Sequence, residues 1–198
     1  QGLSVTVLEA APRLLQRSVS PELSAHVLDT HRAAGIDVRL GARVGEFVLD
    51  GQRLLSLGVD GVQTPVDLLL LGIGSRPDTA LAEACGLDCQ DGIVVDAQMR
   101  SSDPDILALG DAVRFTPAGG GATLRLESVQ NANDQAKTVA ATLAGRNEPY
   151  AALPWFWSEQ GSMRLQMAGL MPADGERHRR PGATLSSFSV LHYLGGQL

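Results

Sequence analysis

The 198-residue chain has few cysteines and few aromatic residues, and acidic residues outnumber basic ones. The formal net charge of −6 argues against a general nucleic-acid or anionic-membrane binder, because both need a basic surface that displaces counterions. No apolar run approaches the roughly 20 residues of a membrane-spanning helix, and the first residues lack a signal-peptide pattern. We therefore expect a cytoplasmic protein without nucleic-acid or membrane partners.

The scarcity of cysteine excludes a four-cysteine metal site, since only Cys85 and Cys89 are present. Cys85 is predicted at the end of a small helix and Cys89 in the turn that follows, which favours structural roles for both. Their spacing leaves a redox-active disulfide as the alternative. No metal site is predicted.

The first 75 residues show the alternation of strands and helices that is typical of an α/β fold. A strand ends at Glu9, and Ser20-Pro21-Glu22 forms a capping pattern for a helix that stops at Gly35. A half-buried strand and an antiparallel meander over residues 36–66 follow. The apolar run 68–74 is predicted to be a strand buried on both faces of a parallel sheet.

An acidic strand end is predicted at residues 101–111. Pro104 favours the start of a strand, Ile106 to Leu109 form a short apolar run, and Asp111 places a carboxylate at its carboxyl end. Such a carboxylate can accept hydrogen bonds from sugar or ribityl hydroxyls. The alternative is a surface aspartate after a core strand.

A capped helix is predicted directly after Glu127. Ser128 can cap it, Gly145 can end it, and an apolar stripe is expected at Val129, Ala132, Ala136, Val139 and Leu143. Unpaired N–H groups and the positive dipole end suit an electron-rich ligand. The alternative for Glu127 is an ordinary acid in the first helical turn.

Aromatic residues are concentrated in the segment Trp155-Phe156-Trp157-Ser158-Glu159-Gln160, which precedes further short strands, at Met163 to Met167 and Leu185 to Tyr193. Without other signals, such a cluster would be part of a core.

Taken together, these motifs resemble the FAD-dependent pyridine-nucleotide oxidoreductases, in their ferredoxin and rubredoxin reductase branch. The resemblance rests on the Asp111 stretch, on Glu127-Ser128-Val129 and on the Trp157 segment, in that order. Glu159 stands where the branch has aspartate, which adds one methylene and changes the reach of the carboxylate.

The resemblance implies a set of cofactor-binding residues. FAD would contact Asp111 and the adjacent Ala112 on its ribityl side, the backbone N–H of Val129, and the side chains of Trp157 and Ser158. Glu127 would lie near the nicotinamide carboxamide, at the helix capped by Ser128. NAD would contact Glu9 through its ribose, and Gly72 and Gly74 through their backbone.

The fold implied is α/β, with partial Rossmann-like dinucleotide-binding domains followed by a small α+β carboxyl-terminal domain. The expected boundaries are 1–75 for the remainder of the NAD-binding domain, 76–148 for the end of the FAD-binding domain, and 149–198 for a truncated reductase domain. Because both glycine-rich fingerprints are absent, we expect the 198 residues alone to be inactive and not to hold FAD stoichiometrically. We also expect exposed faces to favour a homodimer.

The activity implied is transfer of a hydride from NADH to FAD and then of single electrons to a ferredoxin-type iron-sulfur protein. No catalytic side chain is assigned, because the cofactor supplies the redox chemistry. The alternatives are an NADH oxidase or disulfide reductase of the same superfamily, and a redox-sensing protein of the apoptosis-inducing-factor type. The basic run 176–180 is either a solvated hairpin loop or a docking surface for an acidic ferredoxin.

Overall fold

The structure is a computed structural model that describes residues 2–118, 120–172, 174–184 and 186–198. It contains helices and several small sheets, which confirms the α/β class. The chain divides into two compact units, a first unit of Gln1–Gly72 with Met171–Leu198 and a second unit of Ile73–Leu170. The domain boundaries expected from the sequence stay a prediction. None of the described helices is long and apolar enough to cross a membrane.

The first unit begins with a β-α-β arrangement. Strand β1 (Thr6–Glu9) pairs in parallel with β2 (Asp37–Leu40), and helix α1 (Pro21–Ala33) connects them. As predicted, the Ser20 hydroxyl caps α1, where it accepts a hydrogen bond from the Leu23 N–H at 3.3 Å. Parallel pairing places the carboxyl ends of both strands, and with them Glu9, at one edge.

The antiparallel meander is also confirmed. It consists of β3 (Val44–Asp50), β4 (Arg53–Val59) and β5 (Val62–Pro65). Asp60 and Gly61 both have positive φ, 51° and 86°, which is the backbone of the type I′ turn that joins two strands most tightly.

The prediction of a buried strand at residues 68–74 is wrong. This segment forms no strand, and its apolar side chains except the half-buried Leu69 are exposed, with Ile73 at 89%. A strand needs a neighbour for its backbone hydrogen bonds, and no described strand pairs with the segment. Hydrophobicity alone therefore did not bury it.

Two strands near the carboxyl end belong to the first unit. Strand β10 (Glu176–Pro181) pairs antiparallel with β11 (Phe188–Tyr193), so the reading of the basic run as a loop is wrong. The Arg177 guanidinium lies 3.3 Å from the Glu22 carboxylate of α1, and Phe188 meets the His26 ring edge-on. Leu185, where the last strand was predicted to start, lies outside the described residues.

The second unit contains the remaining elements. Helix α2 (Ala80–Ala84) precedes β6 (Ile93–Val94), which pairs in parallel with β7 (Val113–Arg114). Helix α3 (Val129–Leu143) then leads to the hairpin of β8 (Trp155–Gln160) and β9 (Met163–Ala168). As predicted, α1 ends before Gly35 and α3 before Gly145.

The predicted strand before Asp111 does not form. Residues 106–109 make a single bridge, Arg100 to Leu107, and Ile106 is partly exposed. Pro104 lies in a turn instead, because the Asp103 carboxylate accepts the Asp105 N–H at 3.0 Å and competes with sheet pairing.

The apolar stripe predicted for α3 is also wrong. Val129 and Leu143 are 63% and 73% exposed, and most of the buried side chains of the helix are polar. They recur at helical spacing: Asn131, Gln135, Thr138 and Thr142, together with Ala141. On this inward face Asn131, Gln135 and Thr142 form hydrogen bonds to Tyr150, Gly110 and the Gln98 carbonyl oxygen.

The core of the second unit packs against this polar face. Its buried members are Val95, Met99, Val113, Phe115 and Tyr150. Phe115 and Tyr150 meet edge-to-face at 5.2 Å between ring centroids, and the Tyr150 hydroxyl donates to Asn131 Oδ1 at 2.8 Å. Burial, and secondarily the Asp134 carboxylate, raises the pKa of Tyr150.

Both cysteines are free thiols. Cys85 is exposed at the end of α2 and Cys89 is half-buried. Partial burial, followed by the carboxylates of Glu83 and Asp88, raises the pKa of Cys89. A raised pKa keeps a thiol protonated at neutral pH and less reactive, which argues against a redox function.

Replacing Tyr150 by Phe should destabilise the second unit. The change removes one hydroxyl and leaves Asn131 Oδ1 buried without its donor, which costs roughly 1–3 kcal/mol. Urea unfolding followed by circular dichroism measures the loss. Tyr193→Phe is the matched control, because no hydrogen bond of its hydroxyl is found in the described part of the chain. Equal effects of the two substitutions would contradict the assigned bond.

Candidate functional site

The carboxylate of Asp111 stands on a tight turn that is fastened to helix α3. Gly110–Ala112 form a single 3-10 turn, and the Gly110 N–H donates to the buried Gln135 Oε1 at 2.7 Å. Asp111 itself is exposed, and its carboxylate has no partner among the described residues. The backbone of the turn is thus fixed to helix α3, whereas the Asp111 carboxylate stays available to a ligand.

Arg125 forms a second link to the Asp111 turn, and its side chain is only 14% exposed. Its Nη1 donates both to the Asp111 carbonyl oxygen at 3.1 Å and to Glu127 Oε1 at 2.5 Å. Its Nε lies 3.7 Å from the Asp91 carboxylate. One guanidinium therefore connects two of the predicted cofactor-binding positions.

The close approach around Arg125 depends on Gly92. The residue has φ +127°, and a Cβ there would lie 3.0 Å from the Ala112 carbonyl oxygen and 3.2 Å from Arg125 Cδ. Only glycine adopts this backbone without strain and leaves that space empty.

The amino end of α3 follows directly after Glu127. The Ser128 hydroxyl accepts the Asn131 N–H at 3.1 Å, as predicted for the cap. The N–H groups of Val129 and Gln130 have no acceptor within the described ranges, as is usual in a first helical turn. Together with the helix dipole they present donors to a ligand that carries partial negative charge.

An aromatic groove lies beside this helix end. The rings of Trp155 and Trp157 stack at 5.1 Å between centroids, and the Gln130 side-chain carbonyl accepts the Trp155 N–H at 3.0 Å. The groove has a volume of about 300 Å³ and is lined by Val129, Gln130, Asn133, Asp134, Lys137, Trp155 and Trp157. The structure thus brings Val129 and Trp157 together in one groove, and the contact of either residue with FAD stays a prediction.

Ser158 and Glu159 follow Trp157 along β8, and both line a second pocket together with Trp155 and Trp157. Ser158 is half-buried on the alternate face of β8, where its hydroxyl accepts from the Gln160 amide at 3.2 Å. Glu159 is exposed and lies 3.8 Å from Arg164 across the hairpin. Strand alternation places Ser158 opposite the more exposed tryptophans, although all three residues line that pocket, and the predicted contact of Ser158 with a flavin stays a prediction.

The predicted NAD-binding residues are Glu9, Gly72 and Gly74. Glu9 is half-buried at the carboxyl end of β1, where Oε1 accepts the Ala11 N–H at 2.8 Å. Gly72 and Gly74 lie in the irregular exposed segment, and a Cβ at either would meet nothing within 4 Å. The local turn at Glu9 orients its carboxylate, whereas nothing described approaches the two glycines.

Sequence reasoning missed Arg125 and Gln135. Arg125 stands two residues before Glu127, so an extended backbone places both on one face, which was a usable signal. Gln135 follows Asn131 by four residues, and a polar stripe at that spacing predicts a polar helix face. No group of described residues has the composition of a metal site.

Comparison with known sequences identifies the family. The sequence pattern of the pyridine nucleotide-disulphide oxidoreductases matches residues 1–136, and that of the reductase carboxyl-terminal domain matches residues 155–198. The chain belongs to the pyridine nucleotide-disulphide oxidoreductase family.

Curated relatives of this chain include a terpredoxin reductase and a ferredoxin reductase subunit. Terpredoxin reductase of Pseudomonas sp is 44% identical over 88% of this chain and 44% of its own length. The ferredoxin reductase subunit of the 5,5'-dehydrodivanillate O-demethylase of Sphingobium sp. is 42% identical over 100% of this chain and 48% of its own length. The chain spans about half the length of these relatives.

Solved structures agree with the sequence comparison. A ferredoxin reductase from Rhodopseudomonas palustris superimposes with a TM-score of 0.93 at 42% identity, over 98% of this chain and 48% of that one. Putidaredoxin reductase, in its covalent complex with putidaredoxin, gives 0.92 at 38% identity, over 98% and 47% of the respective chains.

Substituting Gly92 by Ala should disturb the site more than an ordinary turn substitution. Gly86→Ala is the matched control, because Gly86 also has positive φ, +77°, but a Cβ there would meet nothing within 4 Å. The control should cost about 1 kcal/mol of unfolding free energy, and Gly92→Ala about 2–4 kcal/mol, because crowding adds to strain. Chemical denaturation measures both. Equal losses would show that the space beside Arg125 is not restrictive.

Proposed function

We propose that this oxidoreductase chain supplies the ribityl-side and ring-side contacts for FAD, and the ribose contact for NADH, in a ferredoxin reductase. The observation that carries the proposal is the fastening of the Asp111 turn to helix α3 by the hydrogen bond from the Gly110 N–H to Gln135. This bond fixes an exposed carboxylate and an unfilled helix end within one unit.

The residues present fit FAD in their chemistry. The unpaired Asp111 carboxylate accepts hydrogen bonds from ribityl or ribose hydroxyls. The first N–H groups of α3, at Val129 and Gln130, donate to the carbonyl oxygens of the flavin pyrimidine. The ring of Trp157, 46% exposed in the groove beside Val129, provides an aromatic surface for the flavin edge.

The chain's own residues would bind and orient rather than react. When bound, FAD supplies the redox chemistry, accepting a hydride from NADH and passing electrons on singly. The positive end of the α3 dipole favours negative charge on the flavin ring and so stabilises its reduced form. Glu127, whose carboxylate accepts a hydrogen bond from Arg125 at 2.5 Å, would lie near the nicotinamide carboxamide.

A ferredoxin-type partner is proposed because of the carboxyl-terminal match. The match of residues 155–198 to the reductase carboxyl-terminal domain, and relatives named as ferredoxin reductases, favour this activity. The alternatives are an NADH oxidase or disulfide reductase, and an apoptosis-inducing-factor-like protein. Ferredoxin-dependent acceleration of cytochrome c reduction separates the proposed activity from them. Homodimer formation also stays a proposal, tested by light scattering.

The experiment uses a hybrid protein. In this hybrid, the 198 residues replace the matching segment of the 5,5'-dehydrodivanillate O-demethylase ferredoxin reductase subunit. We expect the hybrid to contain FAD and to oxidise NADH with ferricyanide, and the 198-residue chain alone to do neither. A hybrid that folds without FAD would contradict the proposal.

Asp111→Ala in the hybrid should weaken FAD binding about 10- to 100-fold, because a carboxylate hydrogen bond to a hydroxyl contributes roughly 1.5–3 kcal/mol. Flavin release during dilution, followed by fluorescence, measures the affinity. Asp105→Ala is the control, since Asp105 is an exposed acid of the neighbouring turn. Unchanged flavin affinity in Asp111→Ala would exclude Asp111 from the site.

The Glu9 carboxylate should favour NADH over NADPH. Its negative charge repels a 2′-phosphate and accepts hydrogen bonds from ribose hydroxyls. Glu9→Gln in the hybrid keeps an acceptor for the Ala11 N–H and removes the charge. The ratio of kcat/KM for NADH to kcat/KM for NADPH should therefore fall about 10-fold. The exposed Glu46→Gln is the control. Equal use of both cofactors before substitution would refute this assignment.

A further inference from the structure

Arg125 occupies the junction between the two halves of the proposed site. The Asp111 turn and Glu127 lie on separate segments, and the Arg125 Nη1 donates to both, to the Asp111 carbonyl oxygen at 3.1 Å and to Glu127 Oε1 at 2.5 Å. A bond between Arg125 and Glu127 alone would orient only one acid. The shared donor makes the position of each segment depend on the other.

The residues around Arg125 restrict the position of its side chain. Its side chain is largely buried, and its Nε is shielded from solvent without a hydrogen bond, 3.7 Å from Asp91. Asp91 also lies 3.5 Å from Arg114, so one carboxylate balances two guanidinium groups. Gly92 leaves the room in which Arg125 Cδ lies. A buried guanidinium that is surrounded in this way has few alternative positions.

We propose that Arg125 is a positioning residue that couples the Asp111 turn to the Glu127 carboxylate. Through it, the acid on the sugar side of the flavin and the acid on the nicotinamide side keep one relative position. This inference rests on the proposed function. Arg125 touches neither reacting atom, so its effect is exerted on Asp111 and Glu127.

The geometry requires arginine rather than lysine. A planar guanidinium offers several N–H donors in fixed directions, whereas an ammonium is a point charge on a flexible stem. Lysine at this position can pair with Glu127 or reach the Asp111 carbonyl oxygen but does not hold both in a fixed arrangement. Arg125→Lys should therefore keep the charge and lose the coupling.

The test measures this coupling by NMR in the 198-residue chain, without any cofactor. Glu127→Gln weakens the bond to Arg125, so the amide resonances of Asp111 and Ala112 should shift. In an Arg125→Gln background the same substitution should leave those two amides unchanged. The amides of residues 126–128 should shift in both backgrounds, which confirms that the substitution is sensed locally.

Flavin affinity in the hybrid gives an independent readout. Arg125→Gln should raise the FAD dissociation constant about 10-fold, and Arg125→Lys about 3-fold. Arg146→Gln is the control, because among the described residues the Arg146 side chain forms an exposed pair with Glu148 at 3.6 Å, so the substitution should change affinity less than about 2-fold.

Shifts of the Asp111 and Ala112 amides that are equal in both backgrounds would overturn the inference. If Arg125→Gln does not fold, the comparison is made in Arg125→Lys, where persistence of those shifts at full size is the overturning result. The two proposals fail separately. Unchanged flavin affinity in Asp111→Ala rejects the flavin site but leaves the NMR coupling intact, whereas lost coupling with an effective Asp111→Ala rejects only the role of Arg125.

Discussion

The second unit depends on the hydrogen bonds that polar side chains on the buried face of α3 form with other segments. Asn131 and Gln135 are both 0% exposed. Asn131 bonds to the Leu126 carbonyl oxygen and to the Tyr150 hydroxyl, and Gln135 accepts from the Gly110 N–H. Since an unpaired buried polar group costs about 1–3 kcal/mol, each bond fixes a segment to the helix.

Directional bonds also set the rotation of α3 about its axis. An apolar stripe tolerates small rotations because dispersion contacts are not directional, whereas hydrogen bonds at Asn131, Gln135 and Thr142 allow one orientation. That orientation turns Val129 and Lys137 outward, towards the tryptophans of β8. The hydrogen bonds of the buried polar face of α3 therefore determine which of its residues line the groove.

Helix caps and the antiparallel meander followed from local signals in the sequence, whereas the strands predicted at 68–74 and before Asp111 did not form. The caps at Ser20 and Ser128, the antiparallel meander and the strand that starts at Met163 were predicted, because each depends on residues within a few positions. The apolar run 68–74 failed as a strand because pairing requires a neighbour that no local pattern supplies. The α3 stripe failed because partners distant in sequence, Gly110 and Tyr150, decided which face was buried.

The exposure of Val129 is consistent with a ligand at the helix end. Val129, at the first position of α3, is 63% exposed and lines a groove beside two stacked indoles. Covering apolar surface is favourable by about 25 cal/mol per Å², so a flat ring laid on this groove gains from contact as well as from the helix N–H groups. A polar solute would gain only from those N–H groups. The combination therefore favours a planar aromatic ligand with carbonyl oxygens at one edge, which is the shape and polarity of a flavin.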